Sequence, residues 1–337
     1  MEGSPVTPPL EHGGALTTAV ASADGRRVAT AGGKKILLWS AARGWTPVAL
    51  EHESNIEGIR FNPAGTVIAS WTTRDKLRFW DTTSWTLLKE SEIGSHVTSA
   101  VFSKRGTSLL LTTLFGSGGL WSLGKETPTR VLANVAFRAD GARLSPDENI
   151  FVTWTRDGSL YVRDAKSGRA LCGPMRHPDD TSVQGASFNA SGARILSWDL
   201  AGTVRIWNAS TCQAAGTPMQ HPLVYAAEFT GTDDRVVTWD STAVRVRDGM
   251  SGTALFPPLK LPSAIQTAMV DAASGLMLAT TRQAAHLFNL ADATSIGLPM
   301  PQGEALNGPS SALPDISPGH GVSRAPQPIG PFSKSDS

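Results

Sequence analysis

The chain has 337 residues, 40% of them hydrophobic and 18% charged, with a formal net charge of +1. That length allows one large domain or two medium ones, and the charge balance excludes a strongly basic nucleic-acid binder or a protein drawn to anionic membranes. Two cysteines, Cys172 and Cys212, are too few for a disulfide framework and fit a reducing compartment.

The N-terminal stretch Met1–His12 lacks the basic and apolar regions of a secretory signal, and no apolar run is long enough to span a membrane. The reading at this point is a cytoplasmic protein. From there on one pattern returns. An apolar residue opens a turn at Ala21–Gly25, Phe61–Gly65, Phe102–Gly106, Leu144–Glu148, Phe188–Gly192, Phe229–Asp233 and, degenerately, Val270–Gly275. In step with it, short segments close on a bulky residue and a polar one. They end at Trp39-Ser40, Trp80-Asp81, Trp121-Ser122, Arg163-Asp164, Trp207-Asn208, Arg247-Asp248 and Phe288-Asn289, at intervals of 41, 41, 42, 44, 40 and 41 residues. Between the markers lie β-rich stretches (Val67–Trp71, Arg235–Trp239), a tight turn (Arg156–Ser159) and an alternating strand (Val204–Trp207). Two markers keeping one period over seven copies predict an array of short strands, with no amphipathic helix. The array covers residues 1–302. Residues 303–337, rich in Gly, Pro and Ser without periodicity, are expected to be a disordered tail.

The segments Phe79–Asp81 (FWD), Leu144–Glu148 (LSPDE) and Asp157–Asp164 (DGSLYVRD), repeated at this period, resemble the WD-repeat β-propeller family in a degenerate, bacterial-type form. The resemblance implies an all-β, seven-bladed β-propeller with four-stranded antiparallel blades and a ring closed by a terminal strand. Candidates for that strand are Val6–Leu10 and Ser295–Met300, either of which would complete the blade built from about Ala264–Leu290. The family often carries a buried tetrad of His, Ser or Thr, Asp and Trp in each blade. His12 and His52 match its register; His177 and His221 are displaced, and Asp199 and Asp240 are off by one or two. Arg163 and Arg247 stand where Trp is expected. The resemblance therefore implies blades less stapled by hydrogen bonds than the family norm.

Four tryptophans, Trp71, Trp154, Trp198 and Trp239, each lie ten residues after the apolar marker of their unit, where the family usually has a small residue. With the four strands of each unit lettered a to d in chain order, they end strand b, near the rim where the b–c and d–a loops emerge. Two readings stand: rings packed between blades, or anchors for a partner. The strand-c arginines Arg78, Arg163, Arg205, Arg245 and Arg247 are expected on a solvated outer face. No catalytic pattern stands out. Gly119–Lys125 spells most of a phosphate loop, but Glu126 replaces the hydroxyl that would hold magnesium. The histidines are dispersed, and Asp179-Asp180 and Asp233-Asp234 sit in turn-like sequence. These features predict a non-catalytic, monomeric scaffold or sensor domain without cofactor or metal, binding protein partners but neither nucleic acid nor membrane. The resemblance extends to the repeat regions of larger bacterial signalling proteins, of which this chain would be one. The rival readings are a carbohydrate- or small-ligand-binding propeller and an enzyme using the central channel.

Overall fold

The computed structural model describes residues 7, 9–74, 76–113, 118–124, 128–132, 139–177, 181–230, 235–271, 274–297 and 300–301. Alternating apolar residues and regularly spaced turns give seven antiparallel sheets in succession. Blade one holds β1 (Thr18–Ala21), β2 (Arg27–Gly32), β3 (Lys35–Ser40) and β4 (Val48–Glu51). Blade two holds β5 (Ile56–Phe61), β6 (Val67–Thr72), β7 (Lys76–Asp81) and β8 (Leu87–Glu92). Blade three holds β9 (Val97–Phe102), β10 (Ser108–Thr113), β11 (Gly119–Leu123) and β12 (Pro128–Leu132). Blade four holds β13 (Gly141–Leu144), β14 (Ile150–Trp154), β15 (Ser159–Asp164) and β16 (Ala170–Arg176). Blade five holds β17 (Val183–Phe188), β18 (Arg194–Asp199), β19 (Thr203–Asn208) and β20 (Ala214–Gln220). Blade six holds β21 (Ala226–Thr230), β22 (Arg235–Trp239), β23 (Ala243–Asp248) and β24 (Leu259–Lys260). Blade seven holds β25 (Ile265–Asp271), β26 (Leu276–Thr281) and β27 (Ala284–Asn289), with two short strands, β28 (Thr294–Ser295) and β29 (Met300–Pro301), on the outer edge of β27.

The first strands of neighbouring blades pack against each other (β1 with β5, β9 with β13, β13 with β17, β17 with β21, β21 with β25), so they form the inner edge of the array. The apolar cores lie between blades. Leu38 and Leu50 meet Ile59 and Ile68 across blades one and two. Phe79 meets Phe102 and Trp121 across two and three, and Leu110 meets Phe151 across three and four. Val162 meets Ile195 and Trp207 across four and five, and one larger cluster joins five, six and seven through Ile206, Val237 and Met277. Among the described residues no cluster spans blades seven and one. All-β architecture and seven sheets agree with the propeller expectation. Of the two closing strands considered, the C-terminal segment occupies the edge of blade seven through Met300 paired with Ala285. Of the N-terminal alternative, Val6–Leu10, the described residues Thr7, Pro9 and Leu10 belong to no strand, while the tail and Asp179-Asp180 and Asp233-Asp234 lie outside the described residues.

The cysteines correct the expectation of unpaired thiols. Cys172 in β16 and Cys212 in the turn before β20 form a disulfide between blades four and five, with their Cα atoms 5.9 Å apart.

Candidate docking face

In a four-stranded meander the b–c turns and d–a connections share one face, and the a–b and c–d turns share the other. Each blade carries a hydroxyl at an equivalent position near the end of its second strand: Thr30, Ser70, Thr112, Thr153, Ser197, Thr238 and Thr280. This hydroxyl is the hub of the polar network beneath the b–c face. In blade one, His12 Nδ1 shares a hydrogen bond with Thr30 at 2.8 Å, and Trp39 Nε1 donates to Thr30 at 3.3 Å. In blade two, His52 lies 2.9 Å from the Ser70 hydroxyl, to which Trp80 Nε1 donates at 2.8 Å.

Blade five has the full chain. Trp207 Nε1 donates to Ser197 at 2.8 Å, Ser197 lies 2.7 Å from His177 Nε2, and His177 Nδ1 lies 2.9 Å from Asp199 Oδ2. A carboxylate only accepts, so Nδ1 carries the imidazole proton. Nε2 then accepts the Ser197 proton, and the hydroxyl oxygen accepts from Trp207. In blade six the ring is reversed: His221 Nδ1 meets Thr238 at 2.7 Å and Nε2 meets Asp240 at 2.8 Å, with Arg245 reaching the same carboxylate at 3.2 Å. The displaced His177 and His221, with Asp199 and Asp240, thus do complete their networks.

Of the two arginines that stand in place of Trp, Arg163 takes over the role of the indole. Arg163 Nε donates to Thr153 at 3.2 Å, the contact that Trp makes in other blades. Nor do the strand-c arginines form a solvated outer face. Arg78 pairs with Glu90 at 2.6 Å, donates to the Glu51 carbonyl of the preceding blade at 2.8 Å and lies over Trp80. Arg247 donates to the Gln220 carbonyl of blade five at 2.7 Å, and Arg205 lies over Trp207. Arg78 and Arg247 thus work across the seams.

Burial pushes His52 down to about 4, with Arg78 adding to it. Burial pushes His221 down to about 4 as well, helped by Arg245 and opposed by Asp240. His177 is lowered by burial against the pull of Asp199. Burial works to raise Asp240, but hydrogen bonds from Thr242, His221 and the Ala243 amide outweigh it and hold the carboxyl well below its usual range. All three histidines are neutral near pH 7, and each is occupied by structural partners. Among the described residues no group of three or more His, Cys, Asp or Glu could hold a metal, and Gly119–Leu123 is strand β11.

The four strand-b tryptophans come to equivalent positions. Trp71, Trp154 and Trp198 lie flat over Gly58, Gly141 and Gly185, their register partners on the inner strand, where a Cβ would collide with the indole ring. Trp239 stands opposite Ala226. Trp154, Trp198 and Trp239 are 8%, 5% and 4% exposed: three of the rings are shut between blades, and Trp71 alone is half-buried.

The most exposed apolar side chains of this face lie elsewhere, at blades five and six, while Leu16, before the first strand of blade one, is 43% exposed. Leu200 in the b–c turn of blade five is 59% exposed, and Leu223 in the following d–a connection is 72% exposed with φ +59°. Their loops touch. His221 N–H donates to the Gly202 carbonyl at 2.8 Å, and Gly202, at φ +85°, has backbone against it where a side chain would go. Pro222 and Ala201 are exposed beside them and Tyr225 is half-buried. At blades one and two the same face carries exposed Lys34, Lys35, Glu53 and Arg74 instead. Sequence reasoning missed the leucines because they sit in connecting turns, outside both repeat markers.

No protein-family profile matches the chain. The serine-threonine kinase receptor-associated protein of Dictyostelium discoideum is 27% identical over 210 residues, 59% of this chain and 67% of that protein. Eukaryotic translation initiation factor 3 subunit I of Botryotinia fuckeliana is 24% identical over 258 residues, 71% of this chain and 77% of that one. WD repeat-containing protein 1 of Gallus gallus is 23% identical over 218 residues, 50% of this chain but 36% of its own length. Among solved structures, Sqt1 of Saccharomyces cerevisiae superposes with a TM-score of 0.70 at 11% identity, over 88% of both chains. The computationally designed Ika8 protein gives a TM-score of 0.66 at 17% identity, over 85% of this chain and 87% of that one. These likenesses support the WD-repeat reading and the fold.

Proposed function

We propose that the chain is a non-catalytic protein-docking module whose seven sheets act as one ring, and that the partner seats on the face formed by the b–c turns and d–a connections. The observation that carries this reading is the pair of exposed leucines on touching loops, Leu200 and Leu223, above polar networks whose groups are already satisfied. Exposed apolar side chains held on a rigid base are what an interface core uses. Trp71 is the one strand-b ring that reaches solvent, and Trp154, Trp198 and Trp239 support the face from below. A sugar-binding reading needs open aromatic rings, which three of the four are not. In this reading the module acts as a monomer.

The test is recovery of cross-linked partners from the native source with the wild type, with Leu200→Ser/Leu223→Ser, and with Trp71→Ala. The double serine variant loses the partners that the wild type retains while its melting temperature is unchanged. Equal recovery by all three proteins removes this face as the docking surface.

A further inference from the structure

Where the outer strand of one blade meets the c–d turn of the next, the seams are filled in different ways. Between blades one and two the turn residue is Trp85, packed with Val48 against the core, with the Arg43 guanidinium 5.6 Å from its ring. Between blades five and six the backbones touch. Thr217 N–H donates to the Met250 carbonyl at 2.8 Å, and Gly216 sits against Gly249 and Met250 with no room for a Cβ. Between blades four and five the junction is covalent, through Cys172 and Cys212.

The turn itself repeats. Its fifth residue donates its N–H to the carbonyl of the first, as in Trp85 to Asp81, Gly168 to Asp164, Cys212 to Asn208 and Gly252 to Asp248. That fifth residue is left-handed each time, with φ of 66°, 69°, 57° and 72° in the same order. Two blades put glycine there, which adopts this backbone without a Cβ penalty. Blade five puts cysteine, and its side chain reaches the one other cysteine of the chain, 40 residues away, one repeat back. Both cysteines are half-buried at the edge of the apolar cluster that includes Val162, Met175, Trp207 and Ala209.

We infer that Cys172–Cys212 is a reversible clasp on the seam of blades four and five. Closed, it locks the two blades together; opened, it leaves the seven sheets folded, because the cluster beneath spans the same seam. A dithiol reductant opens it. One reductant thiolate attacks a cysteine sulfur, breaking the S–S bond and forming a mixed disulfide. The other cysteine leaves as a thiolate, and the second reductant thiolate then attacks the reductant's own sulfur in the mixed disulfide and displaces the first cysteine. Two protein thiols result, two electrons and two protons have passed to the protein, and the reductant leaves as its cyclic disulfide. Oxidised glutathione runs the reverse exchange, leaving as two molecules of the thiol. Because the half-cystine of blade five lies in a c–d turn, the clasp sits away from the leucine loops and alters the stiffness of the seam rather than the docking surface.

The experiment compares the wild-type full chain with Cys212→Gly, each after incubation with oxidised glutathione or with dithiothreitol. Thiol alkylation with mass detection reports the bond, and circular dichroism reports fold and melting. After oxidised glutathione the wild type takes up no alkylating label and melts about 5–10 °C above Cys212→Gly. After dithiothreitol it takes up label at both cysteines, keeps its β spectrum at room temperature, and melts at or about 2 °C below Cys212→Gly, since glycine relieves the left-handed turn. This reversal of order is what a strained residue kept for its bond gives. The inference is overturned if both thiols label after oxidised glutathione, if Cys212→Gly melts no lower than the oxidised wild type, or if reduction abolishes the β spectrum. None of these outcomes depends on where a partner docks.

Discussion

Blades five and three place a buried hydroxyl at the same point and satisfy it with different chemistry. In blade five Ser197 stands in a chain of four groups running from the Trp207 indole through His177 to the Asp199 carboxylate, linking two strands and the d–a connection. In blade three Thr112 meets Thr98 of the neighbouring strand at 2.8 Å, and Thr98 donates onward to the Ala139 carbonyl at 3.3 Å. The difference teaches that the hydroxyl hub is the fixed element of the repeat. Its partners are interchangeable, provided that no buried polar group is left over. Blade four makes the same point with Arg163 in the place of an indole.

The strongest way to break the comparison is to remove the hub where most depends on it. Ser197→Ala leaves the Trp207 Nε1–H and the His177 Nε2 buried without their shared partner. It should cost on the order of 3 kcal/mol, read as a fall in the denaturation midpoint at constant slope. A loss below about 1 kcal/mol would mean that the chain of blade five carries no more than a single ordinary hydrogen bond.

Acid sharpens the same contrast. His52 and His221 are held neutral in the folded protein, with values of about 4 against an ordinary 6.5. A group whose folded value is depressed stabilises fully above its unfolded value and loses that contribution as pH falls from there toward the folded value. The melting temperature should therefore hold above about pH 6.5 and decline between there and about pH 4, on the order of 5 °C. Amide exchange should quicken in blades two and six before blade three, whose threonine pair does not titrate. Uniform loosening of all the blades would break the link to these two histidines.

The period and the strand order were legible because they depend on local alternation and turn chemistry, which the residues carry directly. The networks were only half legible, because counting along a loop does not measure where a side chain ends up. His52 lies nine residues before Phe61, whereas His177 lies eleven before Phe188 and His221 eight before Phe229. The connections absorb the difference and bring each ring to its hub. The reach of Arg163 likewise depends on a long side chain rather than on register. The disulfide had a readable sign in the separation of Cys172 and Cys212 by 40 residues, the repeat period itself. A count of cysteines carries no such geometry. The exposure of the four tryptophans stayed between two readings, because whether a ring closes over glycine is decided by the inner strand of its own blade and by the next blade.

The smallest effect is the most discriminating. In Thr112→Val the hydroxyl is lost with its shape roughly kept, and Thr98 still has the Ala139 carbonyl to donate to. No polar side-chain atom of the pair is stranded, so the cost should be about 1 kcal/mol or less, measured by the same denaturation midpoint. If Thr112→Val costs as much as Ser197→Ala, the hub itself and not its partners sets the stability of a blade, and the two regions are energetically alike. If it costs far less, the length of the buried chain is what matters. The blades with histidine then carry most of the polar stabilisation, while blade three depends on Leu109, Leu111 and Trp121 packed against Phe79 of its neighbour.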